Sequence, residues 1–588
     1  MCGICGFNWN DNSLVKDMCN AISHRGPDQK GFFYDTNMTL GHQRLSIIDL
    51  SEKGKQPLFN EDRSICIIFN GEIYNYEELR RDLELKGHRF SSGTDTETII
   101  HLYEEYGPDC VKKLHGMFAF AIWDSKKKQL FMARDRLGKK PLFYFYDGEK
   151  FIFASEIKAV IQDKTIKREL NHQALNQIIN YGYVLNDDTL LKNIKDLLPG
   201  HSLIFSNNKI SINKYWDVRI NVKNESLDYY VKRLRGLLEA AVEKRLMSDV
   251  PLGATLSGGI DSSSIVAIMS KLNNNPIKTF TTGFGFPSDE FKESKIVSDH
   301  CGTDHKEILL DFNDIDKNFI DIVWHYEIPF GKPSVLTTYF VAKEIKKYIT
   351  VALIGDGADE IFAGYDRYAP IANKPENMKL SDKDVGSVLS TNFGYNNDKK
   401  LFFSDKVLDV KNKDFIEPFS FIKNNYRNNN KEGLNAALLF ELKSIIPNIH
   451  LNRVDRMSMA HSVEMRVPFM DHELVEFCMT IPSRFKWHNN DKKFILQKAV
   501  SDLLPQKIVK RKKFPFGMPF KEYYKKNFSS IAENILLSDQ TKKRGYIQQN
   551  NFEKILKKLK EQKNPEDDSL RQILFLTSLE LWHRMFIG

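Results

Sequence analysis

Cys2 is the first residue of the chain whose type and position could do covalent chemistry. It follows the initiator methionine and its side chain is small, so removal of that methionine would leave a terminal cysteine. A terminal cysteine carries a thiol beside a free α-amine of pKa about 8, and that amine can take up the thiol proton. One residue would then supply both nucleophile and base. Taken alone, a buried cysteine with no chemical role is the commoner reading; three further segments change the balance. Gly41-His42-Gln43-Arg44-Leu45-Ser46-Ile47-Ile48-Asp49 offers an arginine whose planar fork matches a carboxylate. Phe69-Asn70-Gly71-Glu72 puts an amide side chain and a glycine N–H on what reads as a tight turn after a strand, the equipment of an oxyanion hole. Ser92-Gly93-Thr94-Asp95-Thr96-Glu97 adds a carboxylate able to hold an α-ammonium group. Each is an ordinary turn by itself. Together they describe a pocket for a free amino acid beside a thiol.

A second set lies further along. Leu256-Ser257-Gly258-Gly259-Ile260-Asp261-Ser262-Ser263 follows an apolar run and opens a helical one. Its glycines permit close backbone approach, and the N–H groups at a helix start attract phosphate. It lacks the Gly-Lys-Ser/Thr ending of a Walker A loop. Asp261 has a counterpart in Gly355-Asp356-Gly357-Ala358-Asp359-Glu360. Mg²⁺ takes a few carboxylates together with phosphate oxygens, so aspartates from two strand ends could flank a bound phosphate group. An acidic surface turn is the plainer reading of 355–360, but the apolar run 351–354 leads straight into it.

The elements that must position these groups fall into two styles. About the first 200 residues read mainly as short strands, at 65–69, 117–123, 129–133, 142–146 and 151–154, with helical spacing at 76–85 and 96–106. The stretch 203–222 has the polar, broken character of a domain connection, with turn-rich patches at 206–208 and 221–224. From about Tyr229 helices alternate with short strands at 252–256, 278–282 and 350–354, each followed by a glycine turn, which predicts a parallel α/β sheet. Beyond about Asp366 the chain reads as mostly helical, and the elements of 373–431 are not assigned.

At 588 residues the chain is too long for one ordinary core, so two or more domains are expected. Its 41% hydrophobic and 28% charged residues are those of a soluble globular protein. The net charge of +8 is small for this length. The densest basic run, 507–513, has no basic domain around it and reads as a solvated face rather than a nucleic-acid site. Seven cysteines, an odd number scattered over the chain, make no disulfide framework. Cys2 and Cys5 form one CxxC without a second pair at zinc spacing, and Cys66 reads as a small buried hydrophobe. No stretch approaches the roughly 20 apolar residues that cross a bilayer, and no leader is recognisable, so the cytoplasm is the expected location.

Several of these segments carry a family resemblance. Met1-Cys2-Gly3-Ile4, His24-Arg25-Gly26-Pro27-Asp28, the stretch 41–50, Phe69-Asn70-Gly71-Glu72-Ile73-Tyr74-Asn75 and Gly93-Thr94-Asp95-Thr96-Glu97 resemble the class II glutamine amidotransferase domain of N-terminal-nucleophile hydrolases. Ser257-Gly258-Gly259-Ile260-Asp261-Ser262 resembles the pyrophosphate loop of N-type ATP pyrophosphatases. Phe280-Thr281-Thr282-Gly283-Phe284, the stretches 455–460 and 464–471 (read as a helical signature) and Arg511-Lys512-Lys513-Phe514-Pro515-Phe516-Gly517 extend it to the asparagine synthetases. The implied fold is an α+β, αββα N-terminal-nucleophile sandwich over 2–205. An α/β parallel-sheet ATP-pyrophosphatase-like domain with additional helices would follow over 225–588.

The resemblance also implies roles. Cys2 would attack the glutamine side-chain amide and release ammonia, with Asn70 and Gly71 stabilising the oxyanion. Arg44 and Asp95 would grip the α-carboxylate and α-amine, with Leu45, Ile47, Ile48, Asn70 and Glu72 completing the glutamine pocket. ATP would lie on Leu256, Ser257, Gly258, Gly259, Asp261, Ser262, Thr282 and Gly355, with Mg²⁺ on Asp261 and Asp359. Lys513 would face the α-phosphate, and Asp356 would assist ammonia attack. Aspartate would be activated as β-aspartyl-AMP and amidated to asparagine. Ammonia in neutral water is largely protonated, so a dry passage between the two sites is expected. The expected partners are glutamine, ATP and aspartate, with a homodimer left open as the protein assembly, and neither nucleic acid nor membrane. Two positions depart from the pattern. Better-known bacterial members carry glutamate where Asp356 stands. Lys332, in Glu327-Ile328-Pro329-Phe330-Gly331-Lys332-Pro333-Ser334, reverses a charge found in a related subgroup near the acceptor. These two leave open a different carboxylate acceptor, such as a uronic acid in surface-polysaccharide synthesis. A non-catalytic scaffold would not need Cys2, Arg44, Asp95, Asp261, Asp359 and Lys513 together.

Overall fold

Two six-stranded antiparallel sheets face each other in the first part of the chain. Their strands are β1 (Gly3–Phe7), β2 (Gln29–Tyr34), β3 (Thr39–Arg44), β4 (Leu58–Phe59), β5 (Ile65–Ile73), β6 (Gly116–Asp124), β7 (Gln129–Arg134), β8 (Phe143–Tyr146), β9 (Phe151–Ala154), β10 (Ile194–Asp196), β11 (His201–Ser206) and β12 (Lys209–Lys214). One sheet runs β10-β8-β9-β1-β3-β2 and the other β12-β11-β7-β6-β5-β4. Between and after them come α1 (Asn12–Ala21), α2 (Tyr76–Leu85), α3 (Asp95–Tyr106), α4 (Ile157–Val160) and α5 (His172–Tyr181). The structure is a computed structural model and describes residues 1–374, 380–389, 403–404, 408, 418–429, 432–512, 517–561 and 567–588.

The sequence of β6 shows why the layers stack this way. Successive side chains of a strand point to opposite faces, yet every residue of β6 is buried. Phe118, Phe120 and Ile122 pack outward with Ile99, Ile100 and Tyr103 of α3. Ala119, Ala121 and Trp123 pack inward with Ile4, Leu40 and Phe153 of the opposite sheet. A strand apolar on both faces needs a cover on each side, here a helix and a second sheet. On the other sheet α1 supplies the outer layer, burying Leu14, Val15, Met18 and Cys19 beside Cys5 and Phe7. The result is the αββα sandwich.

The second part is built on a five-stranded, all-parallel sheet ordered β15-β14-β13-β16-β17. Its strands are β13 (Leu252–Thr255), β14 (Lys278–Gly283), β15 (Asp304–Leu309), β16 (Val351–Leu353) and β17 (Glu464–Arg466), with α6 (Leu227–Glu243) before the first and α7 (Ile260–Leu272) after it. The chain adds β14 and β15 on one side of β13, then returns to place β16 and β17 on the other. Order reverses between β13 and β16, and in open α/β sheets ligands bind at the carboxyl ends of strands at such a switch point. The glycine loop 256–259 and the acidic segment 355–360 leave those two strand ends. Among the described residues no helix is long and apolar enough to cross a membrane.

Three readings of the sequence are corrected. Asn70-Gly71 does not end its strand: β5 continues to Ile73, with Gly71 opposite Phe118 of β6. A Cβ at Gly71 would stand 2.1 Å from the Met117 carbonyl, so the glycine serves a close strand approach rather than a turn. The supposed connection at 203–222 contains most of β11 and all of β12, the hairpin that edges one sheet. Its turn was legible, since Asn207 and Asn208 both take positive φ. Finally, Glu464-Met465-Arg466 is an edge strand rather than part of a helical signature.

Candidate active sites

Cys2 sits at the entrance of β1, a central strand flanked by β3 and β9. Its backbone N–H donates to Asn70 Oδ1 at 3.0 Å, and its carbonyl accepts from Arg25 Nε at 3.0 Å. Its sulfur lies 3.9 Å from the Leu45 carbonyl oxygen. Asn70 is fully buried, and with its oxygen engaged its Nδ2 has no hydrogen-bond partner. A buried amide donor left unpaired costs about 1–3 kcal/mol, and such a group gains most from a developing oxyanion. Burial raises the pKa of the Cys2 thiol, opposed by the terminal ammonium and by Arg44.

Around this cysteine the acids and bases are arranged in ways only partly foreseen. Asp95 Oδ2 accepts the Ile73 N–H at 2.8 Å. Burial, reinforced by Glu464, brings its carboxyl up to about 6 against the pull of backbone N–H groups. Glu72 is buried and its carboxyl is held well above the usual carboxylate range, first by burial, then by Glu464 and Asp95. Arg466 Nη2 stands 3.7 Å from Glu72, and the Met1 ammonium lies 3.2 Å from Glu464. Thus β17 of the parallel sheet forms one wall of the cysteine site. Arg44 turns its fork on its own loop, donating to the carbonyls of Ile48 (3.1 Å), Asp49 (2.6 Å) and Ser51 (3.2 Å) and to Gln29 Oε1 (2.8 Å). The Ile47 carbonyl accepts from the Asp249 N–H at 2.9 Å. Arg44, Leu45, Ile47 and Ile48 are therefore brought to the cysteine as a braced loop.

The second site forms at the switch point. Gly258 takes φ +69°, and a Cβ there would lie 2.5 Å from the backbone of Glu293, so glycine is required twice over. Ser257 Oγ ties the loop to its helix, 3.1 Å from Ser262 Oγ and 3.3 Å from the Gly259 N–H that donates to it. The Leu256 N–H donates to the Phe280 carbonyl at 2.8 Å, fixing the loop beside β14, near whose end Thr282 stands half-buried. Gly355 comes close enough that a Cβ would lie 2.8 Å from the Ser262 nitrogen.

Asp261 and Asp359 converge, as the sequence predicts, but on a lysine it did not single out. Lys493 Nζ lies 2.7 and 2.6 Å from the two oxygens of Asp261 and 2.6 Å from Asp359 Oδ1. Burial works against the lysine charge, yet the two carboxylates outweigh it and hold its pKa above the usual value. Lys493 adopts a left-handed φ of 54°, a strained conformation for this residue and one that functional sites retain. A Cβ at Gly364 would sit 1.8 Å from Asp359 Oδ1 and 2.2 Å from Lys493 Cε, so the glycine makes room for the pair. Two carboxylates converging on one cation form a donor set that suits Mg²⁺ shared with phosphate oxygens.

Asp356 forms an ion pair with Arg453. Arg453 and Lys332 also line a cavity between the two parts of the chain, walled by Phe143, Ile157 and Tyr183 on one side and Tyr326, Phe330 and Val335 on the other. Burial, helped by Arg367 and Arg453, lowers Lys332 to about 7. Beside this cavity the two parts are bolted together by charge. Arg25 bonds both Glu156 (2.8 Å) and Asp455 (2.9 Å), and Arg456 reaches Glu327 at 2.5 Å. Glu327 in turn accepts the N–H groups of Ile157 and Lys158 at 2.9 and 2.7 Å. Buried pairs of this kind contribute little net stability but fix register between surfaces.

Lys493 and Arg453 were missed because nothing in their local spacing marks them; Glu464 and Arg466 stood in the stretch 464–471, but their place beside the cysteine site depends on partners far along the chain. Arg511 was read as solvated, yet it donates to the Ser257 carbonyl at 3.1 Å and pairs with Glu290 at 2.9 Å. Lys513 lies outside the described residues.

Comparison with known proteins bears on both sites. Residues 1–216 match the family described as glutamine amidotransferase domain, and residues 233–584 match asparagine synthase. Asparagine synthetase [glutamine-hydrolyzing] 1 of Bacillus subtilis is 32% identical, covering 100% of this chain and 97% of its own. Asparagine synthetase [glutamine-hydrolyzing] 3 of the same organism is 34% identical over 91% of this chain and 90% of its own. Amidase chry2 of Gibberella zeae is 29% identical over 89% of each. With matches that run the length of both sites, the chain belongs to the asparagine synthase family and is a glutamine amidotransferase ligase.

Proposed function

We propose that this chain takes ammonia from glutamine at Cys2 and uses it to amidate the side-chain carboxylate of aspartate, activated as an acyl-AMP with release of pyrophosphate. The observation that carries the reading is the convergence of Asp261 and Asp359 at the mouth of the glycine loop, with the cysteine site backed onto the same sheet. The division of labour would fall between the αββα part, which runs through β12, and the parallel-sheet part from α6 onward. Excision of Met1 would turn the Cys2 N–H into an amine that Asn70 Oδ1 is already placed to accept from. The thiol adds to the glutamine amide carbon, ammonia leaves with the thiol proton, and water hydrolyses the thioester to glutamate. In the second site Asp261 and Asp359 would hold Mg²⁺, which supplies charge compensation to the pyrophosphate. Gly258 offers a backbone N–H just before α7, those of Ser257 and Gly259 being held by the Ser262 and Ser257 hydroxyls, and Lys493 offers a further cation.

Asp95 gives this reading a pH signature. Its carboxyl titrates at about 6 in the free chain, and only the ionised form holds an α-ammonium group. The kcat/KM for glutamine hydrolysis should therefore fall by roughly tenfold per unit below that pH. Asp95→Asn should lose this limb and bind glutamine poorly. A wild-type profile flat down to pH 5 would remove Asp95 from the binding set.

The acceptor is tested by ATP–pyrophosphate exchange. Aspartate should drive exchange in the wild-type chain. A second acceptor class, a sugar carboxylate, rests on Lys332 and Arg453, which stand together in the cavity beside Asp356. Lys332→Asp should change which carboxylate drives exchange while leaving glutamine hydrolysis untouched. Exchange with a uronic acid and none with aspartate would make the acceptor wrong and leave the mechanism standing.

A further inference from the structure

Away from both sites, at the outer end of α3, four side chains converge. Glu61, His88, His101 and Glu104 each bring one ligand atom to within 4.8 Å of all the others. They come from three places: the turn before β5, the chain after α2, and the last turns of α3. His101 Nδ1 lies 2.8 Å from Glu104 Oε2 and 3.9 Å from Glu61 Oε2, and His88 Nδ1 lies 3.6 Å from the same Glu104 oxygen. A tetrahedral ion with bonds of about 2.0–2.1 Å needs ligand atoms about 3.4 Å apart, a value these separations straddle.

His88 turns its other nitrogen to a second carboxylate. His88 Nε2 stands 3.1 Å from Glu105 Oε1, whereas His101 Nε2, 4.0 Å from Glu97 Oε1, is out of hydrogen-bond reach. Outer carboxylates placed in this way fix the tautomer and raise the basicity of metal-bound imidazoles. A histidine merely satisfied by Glu104 is the plainer explanation. It leaves unexplained why a second imidazole, His88, brings its Nδ1 to the same Glu104 oxygen, 3.6 Å away. Nor does it explain why four carboxylates surround two imidazoles, with Lys86 pairing only Glu105.

We infer that this cluster binds a divalent transition metal of the zinc type, through Nδ1 of His88 and His101 and one oxygen each of Glu61 and Glu104. Two nitrogens and two oxygens in a tetrahedron suit Zn²⁺ and are a poor match for Mg²⁺. The ion has an open approach, since the Glu61 side chain is 45% exposed while that of His101 is 1% exposed. Its purpose follows from Glu97, which also accepts the N–H groups of Ser91 and Ser92 at 2.7 Å each. The ion braces the loop that ends at Asp95.

The full-length chain, stripped with a chelator and titrated with Co²⁺ in excess Mg²⁺, tests this. One Co²⁺ per chain should bind with the visible absorption of a tetrahedral site, and Zn²⁺ should displace it. His88→Gln and Glu61→Gln should each weaken binding by about tenfold or more, and Asp261→Asn should not. Glu61 is exposed enough that its variant decides the matter even if His88→Gln fails to fold. No saturable Co²⁺ binding, or binding unchanged in Glu61→Gln, overturns the assignment.

Discussion

Cys2→Ala should abolish glutamine-dependent product, by at least about 10³-fold, while synthesis from ammonium stays near the wild-type rate. The asymmetry follows from the construction of the site. Removing the sulfur takes away the atom that forms the thioester, but the backbone anchors of residue 2, to Asn70 Oδ1 and from Arg25, do not involve the side chain. The wall shared with β17, where Arg466 stands beside Glu72, is likewise left standing. The parallel sheet should therefore fold and use ATP as before. A chain retaining an extra residue ahead of Cys2 should show the same pattern, because its residue 2 nitrogen is an amide and cannot take the thiol proton. That second form separates the roles of thiol and amine. Side-by-side assays with glutamine and with ammonium decide it: full glutamine use by an unprocessed, extended chain would sink the amine's role, and equal loss from both nitrogen sources would mean that Cys2 holds structure.

How far these sites could be read from the sequence depends on the range of the forces that build them. Local signals were sound. The glycine loop before α7 announced itself because close backbone approach and positive φ leave few residues a choice, and Gly258 shows both constraints. Periodicity located β6 and α3 because each buries a side fixed by its own geometry. Short strands in long polar stretches were harder. β12 is mostly exposed, its only apolar residues are Ile210 and Ile212, and its existence depends on pairing with β11. The Asn70-Gly71 pair was misread for a related reason. The same dipeptide that makes turns also permits a close neighbour, and only the Met117 carbonyl opposite reveals which is needed. Ion pairs across long separations leave no local trace at all. Lys493 lies 232 residues from Asp261, and Arg25 lies 430 from Asp455.

The Lys493 cluster gives the other large expected effect. Asp261→Asn and Asp359→Asn should each cut synthesis by about 10²–10³-fold, from glutamine and from ammonium alike, and leave glutamine hydrolysis intact. Asparagine keeps the shape of aspartate and one oxygen that can still accept from the Lys493 ammonium, so the left-handed turn at residue 493 and the close packing at Gly364 need not change. What is lost is one negative charge. With it goes half of the carboxylate set available to a divalent ion, and the pyrophosphate charge in the transition state is left poorly compensated. Lys493→Ala disturbs the same cluster in the opposite sense, leaving two carboxylates facing each other without a cation between them. If the lysine only holds the place of the metal, that variant should work at saturating Mg²⁺; if it also meets phosphate, kcat should stay depressed however much Mg²⁺ is added. The second outcome is expected, because Lys493 reaches both acids and sits where the glycine loop opens. Wild-type synthesis in either aspartate variant, measured as pyrophosphate release with ammonium as the nitrogen source, would take the metal away from this pair.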